Sequence, residues 1–211
     1  MIATLAKKQK QNGFTILELI IATAIFSVVL LILTYGILQI GRTYYRGMTS
    51  SRTQNVARAV SDEIVQNIQF GLTDINIGTA NIGTSPGSFC INNKLYSGVV
   101  GRKLKLGTNH VLVAGQGCSP SISSAITTPP FSLNSIARER ELLADGMVLQ
   151  RLSVTKLSAK NYEVGVRVAS GDPDMFETNN YLNGTTPTNC KSGTASQFCA
   201  VSELVTTARI R

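Results

Sequence analysis

Glu18 stands alone in an apolar run. From Phe14 the chain reads FTILELIIATAIFSVVLLILTYGILQIG, and between Glu18 and Arg42 no residue carries a charge. A carboxylate inside a membrane-spanning helix costs roughly 2.5–3.5 kcal/mol at mid-bilayer on insertion scales, and less near the edge. Such a group has two readings: it snorkels to the nearby interface, or it pairs with a positive charge at membrane depth. A new N-terminal amine, made by cutting between Gly13 and Phe14, would be that charge. Ordinary catalytic chemistry finds less support. The single histidine, His110, lies in the apolar stretch NHVLV, and no Ser, Cys or Asp has a recognisable activating neighbour. Asp172, Asp174 and Glu177 gather three acids that could offer hard oxygen ligands to Ca²⁺. They lack the EF-hand spacing and its glycine, so a solvated turn is the plainer reading. There is no Cys-x-x-Cys pair and no Gly loop with a phosphate-binding Lys. No cofactor is implied, and the chain reads as a non-enzyme.

The elements that position Glu18 follow from the run itself. Residues 19–41, as a helix, span about 34 Å at 1.5 Å per residue, enough for the roughly 30 Å hydrocarbon core of a bilayer. Its β-branched residues disfavour helix in water, but unpaired backbone in lipid is worse, so helix is the expected form. The segment before it, MIATLAKKQKQNG, is short and basic and sets the cytoplasmic side, placing residues beyond about 42 outside. Arg42 and Arg46 oppose that orientation slightly. A secretory signal peptide would have a shorter apolar region of about 7–15 residues and a small-x-small cleavage site, which GRTYY does not provide.

The string Gly13-Phe14-Thr15-Ile16-Leu17-Glu18 resembles the class III signal of type IV pilins and type II secretion pseudopilins. In that family a basic leader ends in Gly, a Phe follows, and an acid stands at mature position five. The resemblance implies cleavage after Gly13 by a prepilin peptidase, N-methylation of Phe14, and pairing of Glu18 with the amine of a neighbouring subunit during assembly. It also implies the fold: α+β, a long N-terminal helix, membrane-spanning in its first half, packed on an antiparallel β-sheet domain. The expected organisation is a leader at 1–13, a membrane and filament-core helix at 14–41, its amphipathic continuation at 42–70, and an extracytoplasmic β-rich domain at 71–211.

Residues 42–70 contain no Pro, and Met48, Arg52, Val56, Val60, Ile64 and Ile68 recur at steps of four with Ala57 and Ala59 alongside. This predicts a helix with one stripe laid on a sheet, ending at Gly71. Four arginines (Arg42, Arg46, Arg52, Arg58) precede Asp62, as a solvated face or subunit contacts rather than a nucleic-acid stripe. Turn-rich composition marks 71–135, interrupted by strand expectations at 89–96, 99–106 and 110–114. Clearer strands are expected at 147–157, at 161–169 and at 200–210. In the second of these Tyr162, Val164, Val166 and Val168 share a face, and residues 158–161 join it to the first as a hairpin. Residues 170–184 read as a polar excursion. ELLADGM at 141–147 and VTTARIR at 205–211 resemble segments of W-type minor pilins and of pseudopilin J.

Four cysteines in an exported domain allow three pairings. Cys190 and Cys199 enclose a Gly/Ser loop whose closure removes roughly 2.7 kcal/mol of unfolded-state entropy in the chain-entropy model. Cys90 and Cys118 would form the second pair, and buried free thiols are the alternative.

Composition narrows the rest. Of 211 residues 43% are apolar, which excludes a disordered chain, and 15% are charged, low against about 25% in soluble domains. The net charge of +8 is partly Lys7, Lys8 and Lys10 in the leader. Three functions fit: a minor pilin near a filament tip, a type II secretion pseudopilin, or a pilus-associated module binding DNA or a surface. The last would show salt-sensitive binding through Arg42–Arg58 or Lys94–Lys105. An uncleaved, signal-anchored domain stands against all three. The expected partners are other pilin or pseudopilin subunits, prepilin peptidase, the inner-membrane assembly platform, and membrane lipid before assembly.

Overall fold

A computed structural model describes residues 13–71, 80–82, 87–118, 137–177, 189–193 and 196–210. The chain forms two compact units, one up to Arg42 and one from Thr43 onward. Helix α1, Ile16–Gln69, contributes to both.

In the first unit the helix is apolar on all sides and its large side chains are exposed, Leu31 and Ile40 each at 71%. Its hydroxyls are satisfied within the helix. Thr23 Oγ1 donates to the Ile20 carbonyl at 3.0 Å, Ser27 Oγ to Thr23 at 2.7 Å and Thr34 Oγ1 to Leu30 at 2.8 Å. These back-bonds remove the cost that a bare hydroxyl would carry in hydrocarbon. The helix is long and apolar enough to cross a membrane.

In the second unit the rest of α1 packs on antiparallel sheet, an α+β arrangement. One four-stranded sheet is ordered β1-β6-β7-β8, from strands Ala80–Ile82, Met147–Lys156, Asn161–Ser170 and Ala200–Arg209. The other is ordered β2-β3-β4-β5, from Gly87–Ile91, Lys94–Gly98, Leu112–Gln116 and Ala137–Glu141. The helix buries Thr53, Ala57, Val60, Ser61, Ile64 and Ile68. This differs from the stripe at steps of four: Met48 is exposed and Val56 is only half-buried. Each step of four overshoots a helical turn by about 40°, so steps of three and four must alternate to hold one face. Burying side chains the size of Val60, Ile64 and Ile68 stabilises by about 1.5–3 kcal/mol each.

Opposite them lie Tyr162, Val164, Val166 and Val168, all fully buried on the inward face of β7. The β6–β7 hairpin closes through 157–160, where Leu157 N–H donates to the Asn161 carbonyl at 2.9 Å.

Two strand expectations are corrected. Residues 89–96 are not one strand but the hairpin β2–β3, turning at Asn92 (φ 49°) and Asn93 (φ 63°). Both φ values are positive, the two-residue turn whose twist matches paired strands, and Asn tolerates that conformation. Residues 99–106 form no strand; they run along β6 through Gly101 N–H to Leu149 O, Leu104 N–H to Met147 O, and a single bridge at Lys103. Gly101, Gly107 and the tight turns around them prevent a regular ladder.

The hairpin tip also closes the helix. Asn92 Nδ2 donates to the carbonyl of Asn67, one of the last four that α1 leaves unpaired. A Cβ at Gly71 would collide with the Asn92 amide, so any larger residue at the helix end requires that side chain to shift.

Nor is the excursion after β7 wholly polar. Phe176 is fully buried, with Val148, Ala169 and Cys199 in a second small core. Residues 178–184 of that expectation lie outside the described residues.

Candidate functional site

Gly13, Phe14 and Thr15 precede the first helical turn, and Phe14 is 76% exposed. The backbone at Gly13 has open space around it. Residues 1–12 of the expected leader lie outside the described residues.

Thr15 and Glu18 cap the helix reciprocally. Thr15 N–H and Oγ1–H both donate to Glu18 Oε2 at 3.0 Å, and Glu18 N–H donates to Thr15 Oγ1 at 3.2 Å. Thr-x-x-Glu is a capping box, satisfying amides that a helix start leaves open. The carboxylate is therefore held at the helix N-terminus, where the macrodipole favours an anion.

The other expected residues are placed as follows. Disulfides join Cys90 to Cys118 and Cys190 to Cys199, each with Cα atoms 5.8 Å apart. The acids Asp172, Asp174 and Glu177 do not form a metal centre. Among the described residues no three metal-binding groups converge, and the Asp172 carboxylate is taken by Lys103. Asp174 lies within the short 3-10 turn Pro173–Met175.

The cations offered for DNA are in part engaged. Lys94 Nζ lies 2.6 Å from Glu63 Oε1, and Arg140 pairs with the other oxygen of the same carboxylate. Arg52 reaches the Asp145 carbonyl at 3.4 Å. Glu63, with Asn67 bonded at 2.7 Å to the buried Tyr96 hydroxyl, ties α1 to β3 and β5. Burial pushes the Tyr96 phenol well above its ordinary value, with the Glu63 charge adding to it.

Glu141, which opens the ELLADGM segment, holds a turn together. Its carboxylate accepts N–H groups of Leu112 (2.8 Å), Val111 (3.0 Å) and Leu143 (3.4 Å). His110 Nδ1 lies 3.5 Å from Oε2, within ion-pair range but without hydrogen-bond geometry. Burial raises the Glu141 pKa, against the lowering effect of those bonds and of His110. Neither this role nor that of Thr15 is among the sequence expectations. Thr-x-x-Glu was a readable signal; Glu141 had none.

Residues 8–34 match the family model of the prokaryotic N-terminal methylation motif. No curated protein and no solved structure matches the chain. The chain thus carries a class III signal like that of type IV pilins, and α1 packed on antiparallel sheets is an α+β arrangement consistent with their fold. That motif is the one found on proteins processed by prepilin peptidase, and it runs here into a helix long and apolar enough to cross a membrane.

Proposed function

We propose that the protein is a minor pilin-type subunit, cut between Gly13 and Phe14, methylated at Phe14, and assembled with other pilins into a type IV pilus or related filament. The observation that carries this reading is the methylation motif running without interruption into a helix that is apolar on every side. In the bilayer that surface meets lipid. In a filament the same surface meets the helices of neighbouring subunits, and small or hydroxyl residues such as Ala22, Thr23 and Ser27 permit close approach. The second unit faces outward from the bacterial cytoplasmic membrane.

Glu18 serves in this reading as the register mark. Thr15 keeps its carboxylate at the helix start, and the amine of an incoming neighbour's Phe14 supplies the missing charge. Transfer from lipid to filament then replaces an unpaired carboxylate with a paired one, which favours only the correctly staggered neighbour. Glu18→Ala tests this: insertion into the membrane is expected to persist while incorporation into sheared filaments is lost. Wild-type incorporation of that variant would remove the pairing step.

A further inference from the structure

One surface of the second unit is not explained by assembly. Phe198, in the 3-10 turn Ser196–Phe198, is 48% exposed and stands with its ring centroid 6.3 Å from that of Tyr45 on α1. Tyr45 is 55% exposed and Tyr44 is 66% exposed. Beside this aromatic group lies an open cavity of about 540 Å³ between α1 and the disulfide loop. Arg46, Ser50, Asn189, Lys191, Ser192 and Ser196 line it with donors, and among the described residues no carboxylate does. Among the described residues neither the Arg46 nor the Lys191 side chain has a partner.

The described residues at both ends of the loop are held in place. Cys199 and Phe176 sit in the second core, Lys191 N–H donates to the Met175 carbonyl at 2.7 Å, and Cys190 bridges Phe176. Gly171, next to Cys199, has φ +140°, a conformation that favours glycine.

We infer that the Cys190–Cys199 loop, with Tyr45 and Arg46, is a docking surface for the phosphate headgroups of the bilayer that holds the apolar helix. Tyr45 and Phe198 occupy the interfacial zone, and Arg46 and Lys191 bind lipid phosphate. Chain connectivity argues for lipid as the occupant: only five residues separate Gly41 from Arg46, which limits their separation to about 18 Å even when fully extended. Exposed aromatics flanked by cations are the side chains that partition to that zone. Duplex DNA would use the cations but has no use for an exposed Phe–Tyr pair on a duplex backbone. The loop then anchors the folded unit on the membrane before assembly, and leaving the membrane requires its release.

This inference rests on residues 19–41 spanning the bilayer, and the test separates the two. The protein contains no Trp, so single tryptophans report unambiguously. The full chain is reconstituted in vesicles of phosphatidylethanolamine and phosphatidylglycerol as Phe198→Trp, Leu31→Trp and Leu157→Trp variants. Leu157 is exposed in the hairpin whose Lys160 lines one open cavity with Gln69 at the far end of α1, about 36 Å along the helix from Tyr45. The expected result is a blue-shifted Phe198→Trp that loses most of its emission to lipid brominated near the headgroup, with Leu157→Trp unquenched. Adding Arg46→Ala and Lys191→Ala should return the Phe198→Trp emission toward that of water. A quenched Leu31→Trp beside a water-exposed Phe198→Trp overturns the docking surface while the span stands. An unquenched Leu31→Trp removes the span and the inference with it. A blue shift produced only by duplex DNA reassigns the surface to nucleic acid.

Discussion

Glu18 is the residue on which the most chemistry turns, and Thr15 decides where its carboxylate sits. Replacing Thr15 by Ala removes its hydroxyl, one donor to Glu18 and one acceptor, while the backbone N–H bond can remain, at a cost of about 1 kcal/mol for the helix start. The expected outcome in detergent micelles is faster amide exchange over Ile16–Leu19, with the rest of α1 unchanged. Glu141 makes a second prediction at this scale. Its pKa is raised by burial, so the folded state binds a proton more readily than the unfolded one. Its contribution is therefore greatest below the unfolded pKa and is lost as pH rises through the folded value. Glu141→Gln should remove that part of the pH dependence, read by denaturant titration of the full chain from about pH 4 to about pH 7. The methylation motif around Gly13, Phe14 and Glu18 was legible because its signal is contiguous. Glu141 was not, since its partners Val111 and Leu112 lie some thirty residues away and meet it only once β4 and β5 pair.

Among the elements, α1 and its junction with β2–β3 carry the second unit. Ile64 is fully buried against the sheet. Ile64→Ala should cost about 2–5 kcal/mol, seen as a lower melting temperature by circular dichroism. Gly71→Ala should cost about 1–3 kcal/mol by displacing the Asn92 amide from the helix end. A melting temperature equal to that of the parent chain would show that the hairpin tip does not hold that end. Long strands with clean alternation, such as β7, were readable at nearly their true bounds because one face is wholly buried. Short strands in β2–β5 were harder to read. A run such as SFCINNKLY looks continuous until the Asn-Asn turn is recognised, and the buried Phe176 of the excursion depends on a disulfide loop distant in sequence.

At the scale of the molecule, one chain combines an apolar helix suited to lipid or to other helices with a disulfide-bonded unit that presents a surface. The methylation motif points to the prepilin pathway, and in the proposed reading the second unit's partners decide which filament receives the subunit. The account's central claim is that the chain enters this pathway at Gly13–Phe14. The most direct test is the intact mass of the protein recovered from its native membrane. The account predicts a species that lacks residues 1–13 and begins at N-methylated Phe14. A chain retaining its leader, in cells whose prepilin peptidase is active, would contradict it and leave Glu18 as a helix cap at the membrane edge.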